Sequence, residues 1–491
     1  MISTPAPEEL RRLRAFLDEN GYDTEHLTER LGLAAPPRPE NLPGALHRMR
    51  EANAANALAR LFLIGASLEE SLANDTLPTA FLETCLAAGL LVSSDGRIRA
   101  GVVIVPVGEL LLASDAFAML GSEDARDFVL PASTHSANYL SRVTMRESIG
   151  RMLDLGCGCG IHALLASRHS ESVVATDISG AAIRYTEFNA ALNGIDNVEC
   201  RAGDLFMPVA DEQFDLIVCN LPFVPAPGEE FTYRDNPLEL DEFCRRIAQS
   251  APEHLADGGC LQLLCESVEI EGQDWQERIR SWADGTGCDG WLLHSVPITP
   301  ADYVARRSRD IVGTEAAPAE TYEKWVSYLR EHDVVAVHPG MLVLRRRQGR
   351  NWLHVHNLDS QVVQDAGDAV RRGIAACDYL ERVAEDDALL DATLGIAPQL
   401  TLDQKFRRAD DTWRPERSVL RMDDGLAMDA EVDVPIMAFL NELDGTAALG
   451  ECIERFARAV GADSHKLKAD LLPLIRLLIG RGFLADVSTG G

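Results

Sequence analysis

Residues 151–160 read Arg151-Met152-Leu153-Asp154-Leu155-Gly156-Cys157-Gly158-Cys159-Gly160, and the chain continues Ile-His-Ala-Leu-Leu-Ala-Ser over 161–167. An apolar run closes on an aspartate, a glycine-rich turn follows, and a helical pattern begins at once. Glycines in such a turn let the backbone pass close to a bound group, where a Cβ would collide. A turn of this kind alone is a weak signal, because several nucleotide-binding folds use one.

The downstream strand patterns sharpen it. SVVATD (172–177) ends on Asp177, NVECRAGD (197–204) ends on Gly203-Asp204 with Leu205 next, and FDLIVCN (214–220) ends on Asn220. Helical patterns lie between them, which predicts a parallel sheet covered on both faces. Strand patterns at 258–266, 289–296 and 334–347 bring the expected count to seven, with a helical insertion over 298–333 carrying Tyr303 and Trp325. Asp154 suits the cationic amino-acid end of S-adenosylmethionine and would repel the pyrophosphate of NAD. Asp177 suits a ribose diol, a device NAD enzymes share. Asp204 can accept from an adenine amino group, with Ile178 and Leu205 offering apolar faces. Each aspartate singly reads as a helix cap or strand-end carboxylate. Three at successive strand tips point to a nucleoside cofactor.

Over about Asp127–Arg347 the sequence resembles the class I S-adenosylmethionine-dependent methyltransferases. DLGCGCG looks like that family's cofactor loop (Asp154, Gly156, Cys157, Gly158, Gly160), ATD its ribose-binding strand end, and GDLF its adenine-contacting turn. Asn220-Leu221-Pro222-Phe223 is similar to the Asn-Pro-Pro-Tyr/Phe signature of the branch that methylates planar nitrogens. That branch includes release-factor glutamine, adenine-N6 and ribosomal RNA guanine methyltransferases. The resemblance implies that Asn220 and Phe223 are catalytic, with Asn220 also bordering the cofactor. The Asn220 carboxamide would accept an N–H from the acceptor nitrogen, Pro222 would stiffen the loop, and Phe223 would stack on a flat amide or ring. Leu221 stands where the family has proline, leaving a backbone N–H and more freedom in the loop. The stretch VPAPGEEFTYRDNPLELDEF (224–243) is expected to line an acceptor pocket, with Tyr233, Arg234 and Asp235 as candidate contacts. A surface ion pair and a packed tyrosine explain those three equally well. Glu266 is a candidate for receiving the acceptor proton or binding a cationic substrate. His294, Tyr303 and Trp325 read as packing residues.

Three domains are expected: 1–118, a catalytic 119–349, and an accessory 350–491. Residues 46–118 read as three helices and a hairpin turning at Asp95-Gly96, a winged-helix-like order. Its third helix has few basic residues and carries Glu83, so a structural or lid role is expected rather than nucleic-acid reading. The C-terminal helices also resemble a small winged-helix-like or peptide-chaperone-like module, after short β-like pieces. The fold class expected is α/β: a Rossmann-like, seven-stranded, mostly parallel sheet flanked by two α+β modules.

Composition bounds the rest. With 46 Lys and Arg against 77 Asp and Glu, the formal net charge is −31. Such a field repels phosphate backbones at long range and argues against nucleic acid as the partner, although a local basic patch is compatible with it. The 11 cysteines include no CxxC pair, which fits free thiols in a reducing cytoplasm better than disulfides or a metal site. No apolar run approaches a membrane span, and no secretory signal is evident. The expectation is a cytoplasmic, S-adenosylmethionine-dependent methyltransferase acting on a nitrogen of a peptide, protein or natural product. O- or carboxyl-methylation of a small molecule or peptide, ribosomal RNA methylation, and a non-catalytic scaffold remain open.

Overall fold

The computed structural model describes residues 2–487 apart from 33–34, 38–40, 117–126, 229–237, 313–318, 359–361, 363–364, 410, 423–424 and 427. The chain divides into two compact units. One comprises residues 1–141, 148–290 and 297–353, and the other 142–147, 291–296 and 354–491.

The first unit opens with helices α1 (Pro7–Glu19), α2 (Thr24–Leu31), α3 (Leu42–Arg48) and α4 (Ala54–Leu58). Strand β1 (Leu68–Glu69), helices α5 (Glu70–Thr76) and α6 (Thr79–Ala87), and the hairpin β2 (Leu91–Ser94) to β3 (Arg97–Ala100) follow, in a sheet ordered β1-β3-β2. The hairpin turns where the sequence predicts, because Asp95 (φ 53°) and Gly96 (φ 68°) both take the left-handed region that a two-residue turn requires. The expected single long hairpin is two. Gly101 breaks the run, donating to the Leu90 carbonyl at 2.9 Å. A second hairpin then forms from β4 (Val102–Val107) and β5 (Leu110–Asp115), both almost wholly buried.

Helix α7 (His135–Val143) leads into the central sheet, whose first strand is β6 (Ile149–Leu155). There follow α8 (Ile161–Ala166), β7 (Ser170–Asp177), α9 (Gly180–Leu192), β8 (Val198–Ala202), β9 (Phe214–Cys219), α10 (Glu242–Ser250) and β10 (Leu255–Ile270). Helix α11 (Trp275–Ala283), β11 (Cys288–His294), α12 (Pro300–Val312), α13 (Ala319–Glu331), β12 (Val334–Arg346) and β13 (Leu353–Asn357) complete it. The strand order is β13-β11-β12-β10-β9-β6-β7-β8. Strands β6 to β10 run parallel, and β12 pairs antiparallel with β10. Among the described residues the sheet therefore has eight strands, not seven. The extra strand is the edge strand Leu353–Asn357, a five-residue stretch whose two histidines break the apolar pattern by which buried strands are recognised.

The second unit holds α14 (Gly367–Arg382), α15 (Asp386–Leu390) and β14 (Leu394–Ile396), then the ribbon β15 (Leu400–Ala409) to β16 (Thr412–Met422) and β17 (Asp429–Glu431). Helices α16 (Val434–Leu440), α17 (Leu449–Val460) and α18 (Ser464–Gly480) and strand β18 (Leu484–Asp486) close it. The short β pieces expected here are a ten-residue and an eleven-residue strand. Their sequence, dense in Lys, Arg and Asp, lacks the apolar alternation of a half-buried sheet. Leu420, Phe439, Ile453, Ile475 and Phe483 share the unit's core.

Candidate active site at the carboxyl edge of the sheet

Strand order brings the ends of β9, β6, β7 and β8 side by side, so Asn220, Asp154, Asp177 and Gly203-Asp204 meet along one edge. In open parallel sheets that edge, where neighbouring strands connect outward in opposite directions, forms the ligand crevice.

Asp154 is fully buried, and its Oδ2 accepts from the Ala163 N–H at 2.9 Å, which caps α8. Its Oδ1 has no partner among the described residues. Burial, helped by the negative Asp177 nearby and opposed by the Ala163 N–H, pushes the carboxyl up to about 7. A buried carboxyl with one unsatisfied oxygen is suited to a cation, whose arrival would stabilise the ionised form. Asp177 is only partly covered. Its Oδ1 accepts from the Ser179 N–H at 2.8 Å and its Oδ2 from the Gly158 N–H at 3.0 Å. Each oxygen retains acceptor capacity for a ribose hydroxyl. Burial raises its pKa as well, against the backbone donors of Gly158, Ser179 and Ile178.

The loop glycines have different reasons. Gly156, Gly158 and Gly160 all have positive φ, at 79°, 55° and 81°. A Cβ on Gly160 would stand 2.8 Å from Thr186 Cγ2, so that glycine makes room for α9. A Cβ on Gly158 would meet nothing within 4 Å, so its missing side chain faces open space, as a cofactor cradle requires. Cys157 is buried beside the Thr186 hydroxyl, and burial holds its thiol well above the ordinary range.

Beyond β7, Ile178 is 63% exposed, an apolar face beside Asp177 with no core to fill. Beyond β8, Gly203 donates to the Asp177 carbonyl at 2.9 Å, and a Cβ there would strike Pro208 at 2.5 Å. Asp204 is exposed, and Leu205 holds φ 46°, a strained value for leucine. The turn is pinned by Phe206 stacking on His254, centroids 4.4 Å apart and nearly parallel.

On the acceptor side, Asn220, Leu221, Pro222 and Phe223 are partly exposed at the end of β9. Phe223 packs against a cluster that includes Tyr303, Trp325 and Val337. Tyr303 and Trp325 thus lie in a core beneath the insertion helices. Glu266, three residues beyond Leu263, the last register partner of β9, is buried, and both its oxygens are engaged. Tyr303 Oη donates to Oε2 at 2.5 Å and the Arg307 guanidinium pairs with Oε1. His294 Nδ1 lies 3.0 Å from the Ser295 carbonyl oxygen. Tyr233, Arg234 and Asp235 lie outside the described residues.

Sequence reasoning missed the residues that hold the loop from behind. Asn189, fully buried on α9, accepts from the Ala113 N–H at 2.8 Å through Oδ1. Its Nδ2 donates to the Ala113 and Cys159 carbonyls, each at 2.8 Å. It therefore joins hairpin β4–β5 to the glycine loop. Asn193, one turn on, does the same for Leu111, at 2.9 Å and 2.8 Å. The available signal was polar residues at helical spacing, Thr186, Asn189 and Asn193, within a mostly apolar helix.

Comparison with known proteins agrees with this geometry. Residues 135–271 match the family described as methyltransferase small domain. Residues 19–101 and 371–486 match two further families, each described as a domain of unknown function. A ribosomal protein uL3 glutamine methyltransferase of Bradyrhizobium diazoefficiens is 33% identical over 29% of this chain and 49% of its own length. A release factor glutamine methyltransferase of Xylella fastidiosa is 36% identical over 23% of this chain and 46% of its own. A ribosomal RNA small subunit methyltransferase C of Alcanivorax borkumensis is 30% identical over 23% of this chain and 32% of its own. The chain thus spans about half, or less, of the curated relatives it matches. The matched segment is a class I methyltransferase domain, the class whose cofactor is S-adenosylmethionine.

Proposed function

We propose that this chain, whose residues 135–271 form a class I methyltransferase domain, transfers a methyl group from S-adenosylmethionine to a side-chain nitrogen of a protein or peptide, with an amide nitrogen as the acceptor. The observation that carries this reading is the placement of Asn220 just past the end of β9, the strand beside that of Asp154, at the edge that also holds Asp177. Asp154, Gly158, Asp177 and Ile178 are the residues that fit the cofactor, which supplies an electrophilic methyl group when bound. Asp154 would meet its ammonium group, Asp177 its ribose, and Ile178 with Leu205 its adenine.

Asn220 would take an N–H of the acceptor amide on its carboxamide oxygen and turn the nitrogen lone pair toward the methyl carbon. As the nitrogen–carbon bond forms, the carbon–sulfur bond would break with S-adenosylhomocysteine as the leaving group, and the surplus N–H proton would pass to solvent. Phe223 would stack on the amide plane, and Pro222 would keep the loop in place. Positioning and exclusion of water would carry most of the rate enhancement. Glu266, with Tyr303 and Arg307 on it, would form a polar wall of the acceptor pocket. A protein acceptor is preferred because two of the relatives are named for glutamine in a ribosomal protein and a release factor. The order α4, β1, α5, α6, β2, β3 supports a winged-helix-like N-terminal module, and we read residues 1–118 and 350–491 as accessory to a catalytic 119–349.

The test is methyl transfer from labelled S-adenosylmethionine to purified release factor or ribosomal protein, followed by mass spectrometry of the product. A methyl group that survives mild base and maps to a side-chain nitrogen supports the proposal. A base-labile ester would move the assignment to carboxyl methylation, and label confined to ribosomal RNA would overturn the protein-acceptor reading.

A further inference from the structure

The ribbon β15–β16 is built unlike the rest of the second unit. Its root is fixed, with Val419 and Leu420 buried. Beyond the root, residues 403–408 and 412–417 are exposed on both strands, so neither face rests on a core. A two-stranded ribbon in that condition is marginal by itself in water.

Its chemistry differs from the chain's too. Residues 404–417 carry five cations (Lys405, Arg407, Arg408, Arg414, Arg417) against three carboxylates, in a chain of net charge −31. The register sorts these by face. Arg407 lies opposite Arg414, and Lys405 opposite Arg417, so like charges face each other across the strands. Such pairs are unfavourable unless an anion lies between them. Glu416 engages Lys405 at 3.1 Å and also Arg407, while Arg408 pairs with Asp411 at 3.1 Å and Arg417 with Glu431 at 3.2 Å. Those carboxylates are solvent-accessible, so exchanging them for phosphate costs little. The other face presents Phe406 opposite Pro415 and Trp413 opposite Arg408. Phe406 is 47% exposed and Trp413 68%. The other five tryptophans are all at least half-buried.

We infer that this ribbon is a docking arm for single-stranded nucleic acid, with the arginines meeting phosphates and the exposed rings stacking on bases. Cations interleaved with flat, solvent-facing rings are what a single strand recognises, because its bases are free to stack. A purely acidic protein surface would make use of the cations and leave the rings idle. The overall negative charge, which argues against nucleic acid at large, confines the interaction to this arm. The inference concerns anchoring rather than the methyl acceptor, and it stands whether or not the acceptor reading holds.

The test is fluorescence anisotropy of the full chain with a fluorescein-labelled single-stranded RNA dodecamer at several salt concentrations. The expectation is saturable binding at low salt whose log affinity falls with log salt at a slope of about −2, the mark of about three phosphates. Trp413→Ala should weaken it about tenfold or more, and the double variant Arg407→Glu/Arg414→Glu should abolish it. Both variants should keep the wild-type thermal midpoint and S-adenosylhomocysteine affinity, which separates this outcome from misfolding and from failure of the cofactor reading. No binding at low salt, unaltered binding by the variants, equal affinity for the matching duplex, or equally effective competition by polyglutamate would each overturn the inference.

Discussion

The side chain of Leu221 lies over Gly156, so that a Cβ on residue 156 would collide with Leu221 Cδ2. The residue that departs from the Asn-Pro-Pro-Tyr/Phe pattern is therefore the one resting on the cofactor loop. Gly156→Ala meets both this collision and a φ of 79°. It is expected to cost about 1–3 kcal/mol of stability and to weaken S-adenosylhomocysteine binding. Adding Leu221→Ala should restore part of the loss, with a coupling of about 1 kcal/mol. Thermal unfolding and calorimetry of the four proteins in the cycle measure it, and strict additivity would disprove the coupling.

Asp177 serves two structures at once, holding the Gly158 N–H and presenting its remaining lone pairs outward. Asp177→Ala should lower S-adenosylhomocysteine affinity by about 100-fold, since two charge-assisted hydrogen bonds and the loop's anchor go together. The far-ultraviolet circular dichroism should stay that of the wild type. Calorimetry giving less than a fivefold change would remove the carboxylate from the ribose site.

Asn220 and Phe223 should separate kinetically. Asn220→Ala is expected to lower kcat by about 100-fold with little change in KM, because on the proposed reading its carboxamide orients the nitrogen chiefly as the transition state forms. Phe223→Ala should chiefly raise KM, about tenfold, by removing a stacking surface. Steady-state kinetics with a glutamine-containing protein acceptor decide between this pattern and its reverse.

The strand-tip arrangement of the proposed cofactor site was legible because it depends on a few local signals: aspartates closing apolar runs, and glycines at Gly156, Gly158 and Gly160. Tertiary partners were not legible. Nothing local to Asn189 says that its amide will pair with Ala113, 76 positions earlier, and with the Cys159 carbonyl. Nothing near Glu266 says that Tyr303 and Arg307 will close over it. The edge strand Leu353–Asn357 and the ribbon Leu400–Met422 escaped for a related reason. The Leu-His-Val-His alternation of the first is too short, in a strand of five residues, to stand out, and the second lacks the sustained apolar alternation that marks a strand with one buried face.

Asn189 can be tested by its isostere. Asn189→Leu keeps the volume and removes three hydrogen bonds, leaving the Ala113 N–H and the Cys159 carbonyl buried and unpaired. The expected loss is about 2–5 kcal/mol in urea unfolding. S-adenosylhomocysteine affinity should fall as well, because the Cys159 carbonyl belongs to the cofactor loop. A variant as stable as the wild type would show that hairpin β4–β5 is held by apolar burial alone.

Asp154 and His162 form an opposed pair of titrations in one loop-and-helix segment. Burial pushes the Asp154 carboxyl up to about 7, from an ordinary value near 3.8. The folded state then holds a proton that the unfolded state has lost, so this group makes stability fall as pH rises between those values. His162 is buried with neither ring nitrogen partnered among the described residues, and burial lowers its pKa from 6.5 to about 4. Here the unfolded state holds the extra proton, so this group makes stability rise with pH over that interval. Each slope approaches about 1.4 kcal/mol per pH unit, and between about pH 4 and 6.5 the two nearly cancel. Asp154→Asn should therefore expose the histidine, giving stability that rises with pH relative to the wild type. His162→Leu should expose the aspartate, giving stability that falls with pH relative to the wild type, with about 1 kcal/mol gained where the imidazole's unpaired nitrogens are lost. If Asp154 meets the cofactor's ammonium group as proposed, cofactor affinity should rise with pH toward 7 in the wild type, as the carboxylate ionises, and should be flat in Asp154→Asn. Chemical denaturation and calorimetry across pH 4–8 measure both, and parallel profiles for all three proteins would show that neither group is buried as the structure places it.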